Sequence, residues 1–185
     1  MFYTGRSWFL SVRLGEKFDN FALAIIPVLV GLLPNGTKVS STSAGLCISI
    51  ILENLKSNKL IPVITAYCSS NVKVIRRECA SFLLNILRDW PKPVVARFSA
   101  TCIPMTVKQC LYDTDQRTRN IAKDVFCEFA KSYPVLANGL MTELDTRRRQ
   151  LLTNALRLND QHIDLEQDAL PQNTEKLDTT QKQQE

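Results

Sequence analysis

A chain of 185 residues, 45% hydrophobic and 22% charged, can build one globular domain with a sizeable core. Six glycines are too few for an all-β fold of many tight turns, and no stretch reaches the ~20 apolar residues of a membrane-spanning helix. The formal charge of +5 is unevenly spread: residues 158–185 carry a net of −5, which leaves +10 on the first 157 residues. A basic body of that size points to an acidic partner, whether nucleic acid, an anionic membrane or an acidic protein surface.

At the start, "MFYTGRSWFLSVRLGEKF" has no apolar run followed by a small-residue cleavage site, so no signal peptide is expected. A first helical pair is predicted over 5–14 and 18–33, and Trp8 is expected in the core. "STSAGLCISIILENL" places a helix over 38–55, followed by "KLIPVITAYC" as a second, apolar helix over 59–68. "VKVIRRECASFLLNILRDW" sets Val72, Ile75, Cys79, Phe82, Leu83, Ile86 and Leu87 on one stripe and predicts a helix over 72–89, paired with 93–111. "QRTRNIAKDVFCEFAKSY" does the same with Ile121, Val125, Phe126 and Phe129, giving 115–131 paired with 134–157. The segment from Leu158 is rich in Gln, Asp, Glu and Thr and lacks aromatics, which predicts a disordered acidic tail over 158–185 after a folded unit over 1–157.

The three Ile-Pro segments recur: Pro27 and Pro62 lie 35 residues apart, and Pro62 and Pro104 lie 42 apart. Each is followed by a polar break ("PNGT", "SSN", "DTD") that supplies N-cap residues: Asn35 or Thr37, Ser70 or Asn71, Asp113 or Asp115. A helix, short loop, proline-bearing helix and polar turn repeating near every 40 residues specify an all-α solenoid of HEAT- or armadillo-type helical hairpins. About four pairs are expected, the first incomplete. Pro62 is placed in the first turn of its helix, where a missing N–H breaks little. For Pro27 and Pro104 the helix starts earlier and a kink is expected.

Catalytic constellations are wanting. There is no GxSxG, P-loop or GxGxxG, and the one histidine, His162, falls in the tail, so neither an enzyme nor a cofactor is expected. The six cysteines include no CxxC pair and sit among apolar neighbours, which reads as reduced thiols rather than a disulfide framework or a zinc site. Asp113 and Asp115 read as capping residues.

The basic residues sort by position. Arg13 and Lys17, Lys56 and Lys59, Arg88 and Lys92, and Lys131 all fall at turns between the two helices of a pair. Equivalent loops of a solenoid line up along one edge, so these would form a basic ridge. The competing reading is that lysines at helix ends only complement the helix dipole and keep loops soluble. Arg147, Arg148 and Arg149 read as a solvated helix face. Nucleic acid is the weaker partner class, because no aromatics interleave with the basic loops.

Taken together, "LGEKFDNFALAIIPVLVGLLPNGTKVSSTSA", "LIPVITAYCSSNVKVIRRECASFLLNIL" and "DTDQRTRNIAKDVFCEFAKSYP" resemble a tumour-overexpressed-gene (TOG) domain of the cytoplasmic linker-associated proteins, the CLASP family of microtubule regulators. The resemblance runs from Leu14 to Leu156 and is greatest to the second TOG domain of that family. It implies a paddle of six HEAT repeats that binds tubulin through its intra-repeat loops, so that this chain reads as N-terminally incomplete. Lys17 matches the GxKFD loop, Lys59 the basic position before LIPVIT, Trp90 an aromatic position after a long helix, and Arg119 the arginine of DxDxxxR. Lys56, Lys92 and Lys131 join them from loop geometry.

The resemblance further implies a non-enzymatic module that promotes microtubule rescue and suppresses catastrophe. Its setting would be the cytoplasm and the cytoskeleton: microtubules, spindle and kinetochore. Plus-end or kinetochore proteins would be reached through regions outside this chain, with no membrane or nucleic-acid role. The alternatives are a generic HEAT scaffold without tubulin affinity, or a fragment without function.

Overall fold

The computed structural model describes residues 16–34 and 37–168, and the side chains of 18–34 and 37–159. Within them the chain is helical throughout, with no strand. In chain order the helices are α1 (Glu16–Leu32), α2 (Lys38–Asn54), α3 (Leu60–Tyr67), α4 (Lys73–Asp89), α5 (Lys92–Ser99), α6 (Cys102–Leu111), α7 (Gln116–Ser132), α8 (Pro134–Thr142) and α9 (Thr146–Asp168). The predicted helix over 5–14, Trp8 and the part of the tail after residue 168 lie outside the described residues.

Two layers result. The long helices α2, α4, α7 and α9 stack side by side, with α4 on α7 the most extensive contact. Helices α1, α3, α6 and α8 form the second layer, and α1, α3 and α6 each pack on the long helix that follows them. This is the architecture of a HEAT-type solenoid. The stripe on α4 is buried from Ile75 to Leu87, and Val125, Phe126 and Phe129 of α7 are buried against it. Removing each such side chain from water contributes roughly 1.5–3 kcal/mol. Val72 is excluded from this core: it is the N-cap residue of α4 and is exposed.

The apolar "LIPVITAY" helix owes its composition to its place between layers, with Leu60, Ile61, Ile64 and Thr65 all buried. Pro62 falls at its third position, inside the first turn, and its ring faces solvent. Pro104 holds the same position in α6, contrary to the expected single helix over 93–111. The chain breaks at Thr101 (φ −119°, ψ −98°), so α5 and α6 are separate and Pro104 kinks nothing. Pro27 alone lies inside a helix, as expected.

A second difference is at 134–157. Asp145 interrupts that span and caps a new helix, its Oδ1 accepting the Arg148 backbone N–H at 2.8 Å. The helix is α9, a member of the long-helix layer that runs to Asp168, past the expected limit at residue 157. The "LDT" before three arginines carried that cap signal.

The prolines give opposite predictions. Pro27→Ala restores an N–H for the Leu23 carbonyl inside α1 and removes a helix-interior proline, whose cost is ~3 kcal/mol in an unadapted helix. It is expected to raise the urea midpoint. Pro62→Ala gains no helix bond and frees the unfolded chain, so it should lower stability by about 0.5–1 kcal/mol. Equal shifts of the same sign would contradict this assignment.

Candidate functional site

The loops joining α2 to α3, α4 to α5 and α7 to α8 lie along one edge of the stack, tied to one another by hydrogen bonds. Lys56 Nζ donates to the Asp89 carbonyl at 3.0 Å, and Trp90 Nε1 donates to the Leu52 carbonyl at 3.0 Å. Tyr133 Oη donates to the Lys92 carbonyl, also at 3.0 Å, joining the third loop to the second. At the other end Ser57 Oγ donates to Asp19 Oδ2 at 2.8 Å, which draws the first loop onto α1. Adjacent loops are thus cross-linked through backbone carbonyls, and their spacing is fixed by the packing of the long helices.

Most of the expected binding residues sit on this edge. Lys56 is exposed and bonds the carbonyl at the C-terminus of α4, where a cation also complements the helix dipole. Lys59 caps α3 with its Nζ 3.6 Å from Asp19, and half of its side chain is exposed. Lys92 opens α5, is exposed, and makes no ion pair among the described residues. Lys131 is 3.2 Å from Glu128, a carboxylate that Arg88 also approaches at 3.5 Å. Lys17 belongs to α1, and its side chain lies outside the described residues. Five cations (Lys56, Lys59, Arg88, Lys92, Lys131) therefore share the edge with four carboxylates (Asp19, Glu53, Asp89, Glu128), so the ridge is basic but partly neutralised.

Two expected contact residues are not presented on this edge. Trp90 belongs to this edge, but its side chain is 5% exposed. An indole so enclosed presents no face to a partner; it holds the corner between α4 and α5 from inside. Arg119 lies in the first turn of α7, twelve positions before Lys131, and so on the opposite edge, roughly 18 Å away along the helix. Its guanidinium bonds the carbonyls of Asp113 and Thr114 at 2.6 and 2.9 Å, and it also contacts Gln116 Oε1.

That opposite edge is organised by arginine clasps. Arg76 bonds the Ser70 and Asn71 carbonyls at 2.9 and 3.2 Å, the positions six and five residues earlier that Arg119 also takes. It then forks onto Asp113, Nε to Oδ2 at 2.6 Å and Nη2 to Oδ1 at 2.9 Å, linking the α3–α4 turn to the α6–α7 turn. Arg149 bonds the Leu144 carbonyl at 3.0 Å in the same manner. The Arg76 clasp replaces the side-chain cap expected from Ser70 or Asn71. Its signal is an arginine four to five residues after the "SSN" and "DTD" turns; none follows "PNGT". The Arg76 guanidinium holds the Asp113 carboxyl below the usual carboxylate range. Asp115, the N-cap of α7, is lowered by the Thr118 backbone N–H it accepts at 3.0 Å.

Among the described residues no group of His, Cys, Asp and Glu is arranged to hold a metal ion. All six cysteines are free thiols, and burial pushes Cys79 up to about 12. No described helix is long and apolar enough to cross a membrane.

Comparison with known proteins finds relatives over most of the chain. The family described as "CLASP N terminal" matches residues 9–153. CLIP-associating protein 1-B of Xenopus laevis is 31% identical over 158 residues, 85% of this chain and 11% of its own length. CLIP-associated protein of Arabidopsis thaliana is 26% identical over 144 residues, covering 77% of this chain and 10% of its own. CLIP-associating protein of Drosophila melanogaster is 24% identical over 145 residues, 78% of this chain and 10% of its own. The chain thus spans about a tenth of the length of these relatives. With a family match over most of its residues and a helical solenoid beneath it, the chain belongs to the CLASP family.

Proposed function

We propose that this chain is a tubulin-binding TOG domain acting in the regulation of microtubule dynamics. The observation that carries the reading is the hydrogen-bonded alignment of three intra-repeat loops, which holds Lys56, Lys59, Lys92 and Lys131 on one rigid edge. Tubulin is strongly acidic, and a cationic edge of fixed spacing suits such a surface through long-range attraction and register. Lys92 is the strongest single candidate, because no carboxylate competes for it among the described residues. The side chain of Trp90 is internal and belongs to the support of the edge. The wider role would be microtubule stabilisation, with rescue promoted and catastrophe suppressed, at microtubules, spindle and kinetochore. Plus-end or kinetochore partners would be recruited by other regions.

A Lys59→Glu/Lys92→Glu/Lys131→Glu variant tests this by microtubule co-sedimentation and by gel filtration with free tubulin. Each reversal removes a favourable charge and adds a repulsive one, so roughly 0.5–1 kcal/mol per site sums to a loss of about 10- to 100-fold in affinity. Wild-type binding should also weaken as salt is raised. Unchanged affinity in a variant with a native circular dichroism spectrum would instead favour the generic scaffold reading, in which these lysines serve only Asp19, Glu128 and loop solubility.

A further inference from the structure

On the edge away from the lysine ridge, α7 and α9 flank a groove of about 390 Å³. Arg119, Lys123, Arg147 and Arg148 line it, with Leu111 and Leu151 as apolar wall. The one carboxylate among the lining residues, Asp113, is already engaged at two points by Arg76 and is 5% exposed. Two of the four cations are held in place. Arg119 is fixed by the Asp113 and Thr114 carbonyls. Arg148 bonds Asp145 at 2.6 Å and the Leu111 carbonyl at 3.2 Å, and stacks 3.6 Å over the Tyr112 ring. The other two, Lys123 and Arg147, make no hydrogen bond or ion pair among the described residues.

We propose that this groove binds a phosphorylated serine or threonine side chain of a partner polypeptide. Four cations converge where the nearby carboxylates are already engaged, Asp113 and Asp145 in ion pairs and Asp115 by the Thr118 backbone N–H and hydroxyl, so the site has positive charge to spare. A single carboxylate would neutralise one fork. A phosphomonoester brings nearly two charges and three acceptor oxygens, which matches pre-oriented guanidinium groups flanked by an ammonium with no partner among the described residues. The groove is larger than one phosphate requires, and Leu111 and Leu151 offer an apolar wall to the aliphatic part of a flanking residue. The site lies at the opposite end of α7 from Lys131, so it is independent of the tubulin-facing reading and compatible with it.

The test uses the whole 185-residue chain and two fluorescein-labelled heptapeptides, Ala-Gly-Ala-phosphoserine-Ala-Gly-Ala and its serine counterpart. The phosphopeptide should bind saturably by anisotropy and shift amide resonances of the α6–α7 turn and the first turns of α9. The serine peptide should give neither effect. Lys123→Gln/Arg147→Gln removes two charges that support no other contact, so the fold is kept and affinity should fall at least tenfold. Lys123→Arg/Arg147→Lys should retain it. Binding should also weaken on acidification through the second phosphate pKa, about 6. The proposal is overturned if the serine peptide binds equally, if the glutamine variant binds as wild type, or if the shifts map to the Lys56–Lys92 edge. It is likewise overturned if inorganic phosphate competes with an affinity equal to that of the phosphopeptide, which would mark a site for the free ion.

Discussion

Trp90→Ala is expected to lower the stability of the chain by about 3–5 kcal/mol, the range for truncating a large buried aromatic. The indole is enclosed at the corner between α4 and α5, and its Nε1 donates to the Leu52 carbonyl at 3.0 Å. That carbonyl lies in the last turn of α2, where no intrahelical N–H remains to pair it. Trp90 therefore fills the corner and satisfies a helix end in the neighbouring repeat. Trp90→Phe separates the two contributions: most of the volume stays, the Leu52 carbonyl loses its partner, and about 1–3 kcal/mol should be lost. Urea midpoints with an unchanged m-value would measure both. The pair also tests the reassignment of Trp90 to the interior. A surface contact residue would change tubulin binding on conversion to Phe and leave the midpoint where it was; here the midpoint should move.

Asp113→Ala is the second large effect. Asp113 receives a two-point fork from Arg76, and both groups are largely buried, with side-chain exposures of 5% and 15%. Removing the carboxylate leaves a guanidinium without its counter-charge, for which about 3–5 kcal/mol is typical. The same carboxylate accepts the Asp115 backbone N–H at 2.7 Å, so the α6–α7 turn loses an internal brace as well. Replacing both partners by apolar residues, Arg76→Met with Asp113→Leu, should cost less than Asp113→Ala alone. A larger loss would refute the claim that the stranded charge dominates.

The same pair predicts acid sensitivity. Arg76 holds the Asp113 carboxyl below its ordinary value, so the unfolded chain binds a proton there more readily than the folded one. The resulting stability is complete above the unfolded carboxylate range, around pH 4, and is lost as pH falls through the lower folded value. Asp115 and Asp145 are lowered in the same direction by backbone N–H groups of Thr118 and Arg148. Urea midpoints measured downward from pH 7 should therefore fall on the acid side, and Asp113→Asn should flatten that fall.

Helix existence and layer assignment were legible because they are local. The stripes on α4 and α7 repeat every 3.6 residues, and such a face must be buried wherever the helix ends up. The apolar α3 between polar turns could be read as an inner helix for the same reason. Helix boundaries were less legible: the breaks at Thr101 and Asp145 fall inside long permissive stretches, and backbone geometry alone reveals the first, while the second had only the single cap residue of "LDT" to mark it. The candidate edge was legible in outline, since basic residues at every intra-pair turn must line up once the pairs stack.

The sequence by itself determined that this protein is an all-α solenoid, that "LIPVIT" is buried between layers, and that a row of lysines marks one edge. Only the tertiary structure decided what individual side chains do. Trp90 and Arg119 matched binding positions in the chain, but one is turned inward onto Leu52 and the other clasps its own preceding turn. Arg76 bridges to a carboxylate 37 residues away, a partner that nothing in its local sequence specifies. Periodicity along a helix fixes which face is buried, because burial responds to the average composition of a face. The direction of a single polar side chain depends on which carbonyl or carboxylate the next repeat brings within ~3 Å, and that is set by packing between segments distant in the chain.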